Sequence, residues 1–368
     1  GVPTQIMPGD AREARDRTAV PVDGDSGPLQ MVAAIVEHKN NIETAGFTPF
    51  RDSAAENFGN PWWQQSSPHT YAKTINQSKI ALYTAGNWDE GSTKYGVPFI
   101  FNNVKNPHKM IFGPATHCDW TAVMKETGFD IIIEEHRFFD YWLKGIDNGV
   151  MKENPVTYYT YNQTPEKAWQ TAKSWPLPNE KRTAYFLGDK SLGLKSAKAG
   201  NTSMTVDYDI SDKNFFEKGM VFITEPLTGD TQITGHPVLK LWIASSSDDA
   251  DIIARLDDVS PDGSSRYYNV EGRLRASLRK TEKAPYNNLG LPYHPFTKNS
   301  VQPIKPGEAV QVAFDLFPIS YLFKQGHRIR LTLNFADPRA TPKQSPAPQV
   351  IVYHGSDKPS ALTLPIIR

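Results

Sequence analysis

The sequence predicts an α/β segment followed by an all-β segment, and two observations carry this prediction. Between residues 79 and 150, two short apolar runs alternate with two helical patterns, which is typical of parallel strands joined by crossover helices. From about Met151 onward, short runs rich in β-branched and aromatic residues recur between regular turn signals. We therefore expect a β-sandwich over residues 151–368, with a jelly-roll arrangement.

Residues 1–78 differ from both segments, because they are loop-rich and lack strand alternation. The run QMVAAIVEHKNNIETA places Val32, Ile35 and Val36 on one face of a helix, together with Leu29. We expect this region to form a separate helical segment.

Within the α/β segment, KIALYTAG and HKMIFGP are each predicted to form a short buried strand that ends in a turn. A helix is expected between them, over about residues 91–102. The run FDIIIEEHRFFDYWLKGIDNG predicts a second helix, since Ile132, Phe139 and Leu143 fall at helical spacing and Gly145 supplies a stop.

Composition narrows the classes of partner. The 368 residues carry a formal net charge of zero, which gives no sign of binding to nucleic acid or to an anionic membrane. Cys118 is the single cysteine, which excludes an internal disulfide and a cysteine-based zinc site but leaves the compartment open. Because Gly1 is not an initiator methionine, we expect the chain to have been cut from a longer one.

Two loops that follow the predicted buried strands contain the candidate catalytic residues. AGNWDEGS contains Asp89, and GPATHCDW contains His117. Functional groups in open α/β sheets lie at the carboxyl ends of strands, and the order acid then histidine matches the end of a Ser-Asp-His triad. The alternative is that both are ordinary solvated or helix-capping groups.

Several stretches resemble motifs of the CocE/NonD hydrolase family, to which cocaine esterase, α-amino-acid ester hydrolases, glutaryl cephalosporin acylases and X-prolyl dipeptidyl peptidases belong. The resemblance covers nearly everything after residue 60. The matching stretches are PWWQQSSPHTYAKTI, ALYTAGNWDEG, MIFGPATHCDW, RFFDYWLKGIDNG and, in the β segment, GHPVLKLWIASSSDDADIIARLDDVSPDG, EGRLRASLR and GHRIRLTLNFAD.

The resemblance implies a C-terminal part of an α/β-hydrolase domain at residues 79–150, preceded by a helical cap segment. It also implies that Asp89 and His117 are the acid and the base of a serine-hydrolase triad that cleaves an ester or amide without metal or organic cofactor. The family serine lies in a G-x-S-x-G turn, which this sequence lacks. Ser26, in GDSG, is a poor substitute, because no protease-like barrel pattern surrounds it. We therefore expect the serine on an N-terminal half, carried by a separate chain of a cleaved precursor.

The loops depart from the family pattern, since GGWYDG is AGNWDEG here and GPWxHG is GPATHCD. The side chains at and beside these departures are expected to touch substrate, so the resemblance does not fix which ester or amide is cleaved. These residues are Asn87, Trp88, Glu90, Ala115 and Cys118. Cys118 could be mistaken for a nucleophile, but neighbouring side chains point apart and the family uses serine.

Two further aromatic residues, Trp62 and Trp63, are candidates for the wall of an apolar acyl pocket, and simple packing of the cap is the alternative. Two functional alternatives also remain open. The chain could be a non-catalytic binding subunit built on the β-sandwich, or part of an X-prolyl dipeptidyl peptidase.

Overall fold

The chain folds into two compact units in the computed structural model. Among the residues that the structure describes, no helix is both long and apolar enough to cross a membrane. The described residues are 28–40, 49–53, 62–91, 93–209, 215, 217–337 and 343–368. The first unit comprises Gly1–Ser67 with Phe296–Ser300, and the second comprises Pro68–Pro295 with Val301–Arg368.

The first unit is helical in its described parts. It contains helix α1 (Pro28–His38), helix α2 (Trp62–Gln65) and a 3-10 helix at Lys298–Ser300. The predicted apolar face of α1 is exposed at Val32, Ile35 and Val36. The helical pattern continues in the sequence to about residue 45, but α1 ends at His38 and residues 41–48 lie outside the described part.

The second unit begins with a four-stranded sheet and its helices. Strands β1, β2 and β3 run parallel, and β4 is antiparallel to β3. The elements in chain order are α3 (Pro68–Ser78), β1 (Leu82–Asn87), α4 (Thr93–Asn103), β2 (His108–Gly113), α5 (Trp120–Thr127), α6 (Ile131–Lys144), a 3-10 helix (Val150–Lys152), β3 (Val156–Tyr159), α7 (Pro165–Ala168) and β4 (Trp169–Ala172). The alternation of β1, α4, β2 and α6 agrees with the sequence pattern.

The two strands that were expected to be buried differ from each other. Strand β2 is buried along its whole length, as predicted. Strand β1 is buried only at Gly86 and Asn87, while its first residues are half-buried or exposed. Within the described residues β1 pairs with β2 alone, so its other edge has no hydrogen-bonded neighbour strand. The prediction of a buried strand is therefore wrong for the first half of β1.

The α/β sheet continues past the predicted domain boundary at residue 150. The run VTYYTYN, expected to begin the β-sandwich, instead forms β3, which pairs with β2 through Met110 and Val156. Strand β4 follows it in the same sheet. Strand β2 therefore lies between two parallel neighbours, β1 and β3.

The remaining strands form one hydrogen-bonded sheet. Its principal order is β12-β11-β15-β8-β6-β5-β17-β10-β16-β7, with β13 on β10, β14 on β9 and β9 on β17. The strands are β5 (Glu180–Leu187), β6 (Ser191–Gly193), β7 (Gly200–Thr205), β8 (Met220–Thr224), β9 (Thr231–Gly235), β10 (Val238–Ser245), β11 (Asp251–Val259), β12 (Ser265–Arg275), β13 (Val310–Asp315), β14 (Ile319–Phe323), β15 (Arg328–Asn334), β16 (Gln349–His354) and β17 (Ala361–Ile367); a 3-10 helix spans Ala276–Leu278.

This second sheet carries the main core of the unit. Leu239, Leu241 and Ile243 alternate along β10 and have no exposed surface. Strand β13 alternates buried with less buried positions, the pattern of a strand with one face in a core. The chain is therefore mostly β, as the sequence predicts for its C-terminal part.

Helix α6 presents an apolar face to solvent. Ile131 and Phe138 are buried, whereas Ile132, Phe139 and Leu143 are exposed, Leu143 to 77%. These three exposed residues are among those whose spacing predicts the helix, and they form one apolar stripe. No element within the described residues covers this stripe.

Candidate active site

The loops that follow β1 and β2 lie side by side. The two strands are paired up to their last residues, where Asn87 stands opposite Gly113. The pairing continues into the loops, because Trp88 N donates to Gly113 O at 2.9 Å and Asp89 N donates to Ala115 O at 3.1 Å. The carboxyl ends of these two parallel strands therefore bring the acid loop (residues 87–91) next to the histidine loop (residues 114–119), as the sequence predicts.

Asn87 fixes the backbone of the histidine loop. Its side-chain Nδ2 is buried and donates to the carbonyl oxygen of His117 at 2.7 Å. The approach requires a glycine opposite, since a Cβ on Gly113 would lie 2.5 Å from Asn87 Oδ1. His117 adopts a φ of 36°, a left-handed conformation that non-glycine residues rarely occupy outside tight turns and functional sites. The amide of Asn87 thus holds a strained turn.

The imidazole of His117 reaches out of this turn, and its side chain is 69% exposed. Its Nδ1 lies 4.0 Å from Oε1 of Glu90, at the limit of an ion pair and beyond hydrogen-bonding range. An imidazole in this position is accessible to a group that approaches from outside the described structure.

Glu90 is held in place as a helix cap. Its carboxylate is nearly buried and accepts from Thr93 N at 3.1 Å and from the Thr93 hydroxyl. The carboxylate therefore satisfies a free backbone donor in the first turn of α4, where the helix dipole favours negative charge. Glu90 was expected to touch substrate, and its contacts give it a structural role as well.

Asp89 is half-buried and has a partner from the second sheet. Its Oδ1 accepts a hydrogen bond from the side-chain amide of Asn269 in β12. Within the described residues, no hydrogen bond joins Asp89 to His117. Catalytic contacts are often long in ligand-free structures and tighten on binding, so this geometry leaves both residues in the candidate site.

A buried lysine lies behind the acid loop. Lys94, in the first turn of α4, has no exposed surface and donates to Trp88 O at 2.5 Å and to Asn269 O at 3.0 Å. Burial lowers the pKa of Lys94 to about 7, and the nearby carboxylates of Asp89 and Glu90 oppose that shift. The local electrostatics thus combine two acids with one cation that titrates near neutral pH.

Trp88 does not line a surface, which corrects the prediction that it touches substrate. Its indole is fully buried, stacks on Phe112 at 4.1 Å between ring centroids, and donates from Nε1 to Tyr159 O at 2.6 Å. Asn87 and Ala115 are also buried, so their side chains meet neighbouring protein atoms rather than solvent. The indole is buried because Phe112 and Trp175 pack against it and against each other.

Cys118 is exposed beside His117, so a contact with substrate stays a prediction. Trp63 is half-buried in the first unit, and its predicted place in an acyl pocket stays a prediction too. The side chain of Trp62 and the whole of Ser26 lie outside the described residues. Among described residues, no group of three histidine, cysteine or acidic side chains could hold a metal ion.

Sequence reasoning missed Lys94 and Asn269. Lys94 lies in a helical pattern, where lysine is ordinarily solvent-exposed, so its burial leaves no sequence signal. Asn269 interrupts the strand pattern SRYYNVEGRLR, and asparagine in such a run is a sign of a left-handed residue or a bulge.

Residues 148–362 match the family described as the X-Pro dipeptidyl-peptidase C-terminal non-catalytic domain. The structure resembles a crystal structure of a CocE/NonD family hydrolase from Staphylococcus aureus, with a TM-score of 0.66 and 21% identity over 80% of this chain and 55% of that one. The chain belongs to the CocE/NonD hydrolase family.

Two relatives indicate how much of a longer protein this chain matches. A protein of Mycobacterium bovis, provisionally named a serine esterase, is 30% identical over 400 residues, covering 95% of this chain and 63% of the relative. Cocaine esterase of Rhodococcus sp. is 24% identical over 344 residues, covering 78% of this chain and 56% of the esterase. The chain thus spans less than two thirds of the length of these relatives.

Proposed function

We propose that this chain is the C-terminal part of a serine hydrolase that cleaves an ester or amide. The observation that carries the proposal is the pair of loops that follow β1 and β2. These loops bring Asp89 and His117 into adjacent turns at the carboxyl ends of two paired strands. Membership of the CocE/NonD family supports it, as do the relatives named as esterases.

In the proposed reaction, a serine hydroxyl attacks the substrate carbonyl while Nε2 of His117 takes the hydroxyl proton. His117 then gives that proton to the leaving group, and an acyl-enzyme forms. Water, activated by the same imidazole, releases the acid and regenerates the serine. Asp89 orients the imidazole and stabilises its charged form. No metal ion or organic cofactor enters these steps.

The serine is proposed to come from an N-terminal half that lies outside these residues and is carried by a separate chain of a cleaved precursor. Two features support the presence of a further part of the protein that covers this one. Strand β1 has one edge without a ladder within the described residues, and such an edge is a ready template for another strand. The exposed stripe of α6, with Ile132, Phe139 and Leu143, is the kind of apolar face that another element covers.

The finer description of the fold belongs to the same proposal. Under it, β1 to β3 are the last parallel strands of an α/β-hydrolase sheet, and the helical residues before them are the remnant of a cap. The strands from β5 onward then form a jelly-roll sandwich. The parallel ladder of β1, β2 and β3 and the thirteen-stranded sheet support this assignment.

A second candidate is an X-prolyl dipeptidyl peptidase, since the family matched by residues 148–362 is named after such peptidases. Both candidates use the same acid and histidine and differ only in the leaving group and in the pocket. The non-catalytic binding subunit is the alternative in which neither residue acts.

A substrate panel separates these candidates. The panel contains p-nitrophenyl esters, aryl amides, β-lactam side-chain amides and glycyl-prolyl-p-nitroanilide, each assayed with the protein purified from its natural host. We expect turnover of an ester or a simple amide. Turnover confined to the prolyl anilide favours the peptidase, and absence of turnover on every member contradicts the proposed hydrolase.

A further inference from the structure

Strand β12 contains an irregularity directly opposite the acid loop. In the ladder with β11, Arg255 pairs with Glu271 and Asp257 pairs with Tyr267. Leu256 alone therefore stands opposite three residues of β12, with Asn269 at their centre. Bulges of this kind re-aim a side chain and are over-represented next to active sites.

The backbone of Asn269 is left-handed at the centre of this bulge, with a φ of 53°. Asparagine tolerates this conformation better than most residues do, but it still costs free energy that other contacts must offset. The bulge turns both the side-chain amide and the carbonyl group of Asn269 toward the acid loop. The side-chain amide donates to Asp89, and the carbonyl accepts from Lys94.

Lys94 also connects the bulge to the acid loop. Its ammonium group donates at the same time to Asn269 O and to Trp88 O, the residue immediately before Asp89. The aromatic ring of Phe317, from the same sheet region, lies 5.7 Å from Lys94 Nζ and also approaches Gly91. Two contacts therefore join the acid loop to the bulge. One is the hydrogen bond from the Asn269 side chain to Asp89, and the other is Lys94, which donates to both the loop and the bulge.

We infer that the bulge of β12 positions the catalytic acid, with Asn269 holding the Asp89 carboxylate and the Asn269 carbonyl anchoring Lys94 behind the loop. This inference rests on the proposed function, because it takes Asp89 to be the acid of the triad. It assigns a role in the reaction to a domain whose family description is non-catalytic. Asn269 is a positioning residue, since its contact is with Asp89 and not with substrate.

An Asn269→Gly variant tests this role with little disturbance of the backbone. Glycine adopts the positive φ without penalty, keeps the carbonyl that binds Lys94, and removes only the amide that binds Asp89. The matched control is Asn162→Gly, since Asn162 is also left-handed (φ 64°) and also donates from its side chain, but to Leu322 O at 2.9 Å.

The readouts are kcat and KM on the best ester of the panel and the rate of labelling by a fluorophosphonate, which needs no knowledge of the natural substrate. We expect Asn269→Gly to lower kcat and the labelling rate about 10- to 100-fold, the effect of losing one hydrogen bond to a charged group, with KM unchanged. Asn162→Gly should lower neither. Both variants should have similar midpoints of thermal unfolding.

A double-mutant cycle with Asp89→Asn distinguishes positioning from a general structural effect. If Asn269 acts through Asp89, Asn269→Gly causes no further loss of rate in the Asp89→Asn background. Equal losses in both backgrounds, or no loss in the wild-type background, overturn the inference while leaving the proposed function intact. If the wild-type protein takes no label, or Asp89→Asn labels at the wild-type rate, the proposed function fails instead.

Discussion

Glu90 and His117 approach each other to 4.0 Å between Oε1 and Nδ1, although the family pattern assigns the acid to the residue before Glu90. The carboxylate of Asp89 accepts a hydrogen bond from the side chain of Asn269, and that of Glu90 accepts one from Thr93 N in the first turn of α4. The acid loop thus carries two carboxylates with different partners and different exposure, and the measured approach to the imidazole is that of Glu90. The contacts of Glu90 give it the role of a helix cap, whereas orientation of the histidine by Asp89 rests on the family pattern and stays a proposal.

Substitution of the two acids tests this division. Asp89→Asn should lower kcat by about 10³- to 10⁴-fold, as when a triad acid can no longer stabilise the correct imidazole tautomer. Glu90→Gln retains an oxygen that can accept from Thr93 and should cost less than about tenfold in kcat, with a loss of stability of about 1 kcal/mol. The reverse order, with Glu90→Gln the more damaging change, would show that Glu90 orients His117.

Removal of the imidazole should abolish catalysis without affecting folding. His117→Ala is expected to lower kcat at least about 10³-fold, because the proton of the serine then has no acceptor. The midpoint of thermal unfolding should stay near that of the wild type, since the side chain is largely exposed. His136→Ala is the matched control, because His136 is another exposed histidine, on α6. Wild-type kcat in His117→Ala would exclude His117 from the mechanism.

The exposed thiol beside the histidine should be dispensable. Cys118→Ser removes the single cysteine of the chain, and we expect kcat and fluorophosphonate labelling to remain within about threefold of wild type. Alkylation of the wild-type protein with iodoacetamide can slow turnover by obstructing the loop. Inactivation by Cys118→Ser itself would point to a cysteine nucleophile.

Burial of Lys94 predicts a specific dependence of stability on pH. Since the folded-state pKa is about 7, below the ordinary value of 10.5, the unfolded chain binds more protons between these values. The free energy of unfolding should therefore rise as the pH increases above 7, by at most about 1.4 kcal/mol per pH unit from this group. Below pH 7 the full penalty of the buried charge is present.

Chemical denaturation at pH 7, 8 and 9 checks this sign. Lys94→Met removes the titrating group, so its unfolding free energy should rise less with pH than that of the wild type. Lys125→Met changes an exposed lysine on α5 and should retain the wild-type slope. Identical slopes for Lys94→Met and the wild type would mean that Lys94 is not buried as a titrating cation.

Much of the fold follows from local patterns. The apolar run HKMIFG became the fully buried strand β2, and Gly145, with a φ of 71°, ends α6 where the sequence places its stop. The exceptions are elements whose neighbours decide their burial. The first half of β1 and the exposed stripe of α6 have core-like sequences, but no described element covers them.

The candidate site was predictable only in part. Asp89 and His117 follow from strand order and from the family motifs, because those set which loops meet. Trp88 was expected to touch substrate, since a loop tryptophan gives no sequence sign that Phe112 stacks on it. Asn269 lies 180 positions from Asp89, and contacts over such a distance depend on the tertiary packing of two sheets rather than on any local pattern.

The most direct test of the central claim is to label the protein purified from its natural host with a fluorophosphonate and to map the modified peptide by mass spectrometry. We predict one modified serine, in a G-x-S-x-G peptide outside the 368 residues, and loss of labelling when His117 is replaced by alanine. Modification of a serine within these residues, or labelling that persists in His117→Ala, would contradict the account.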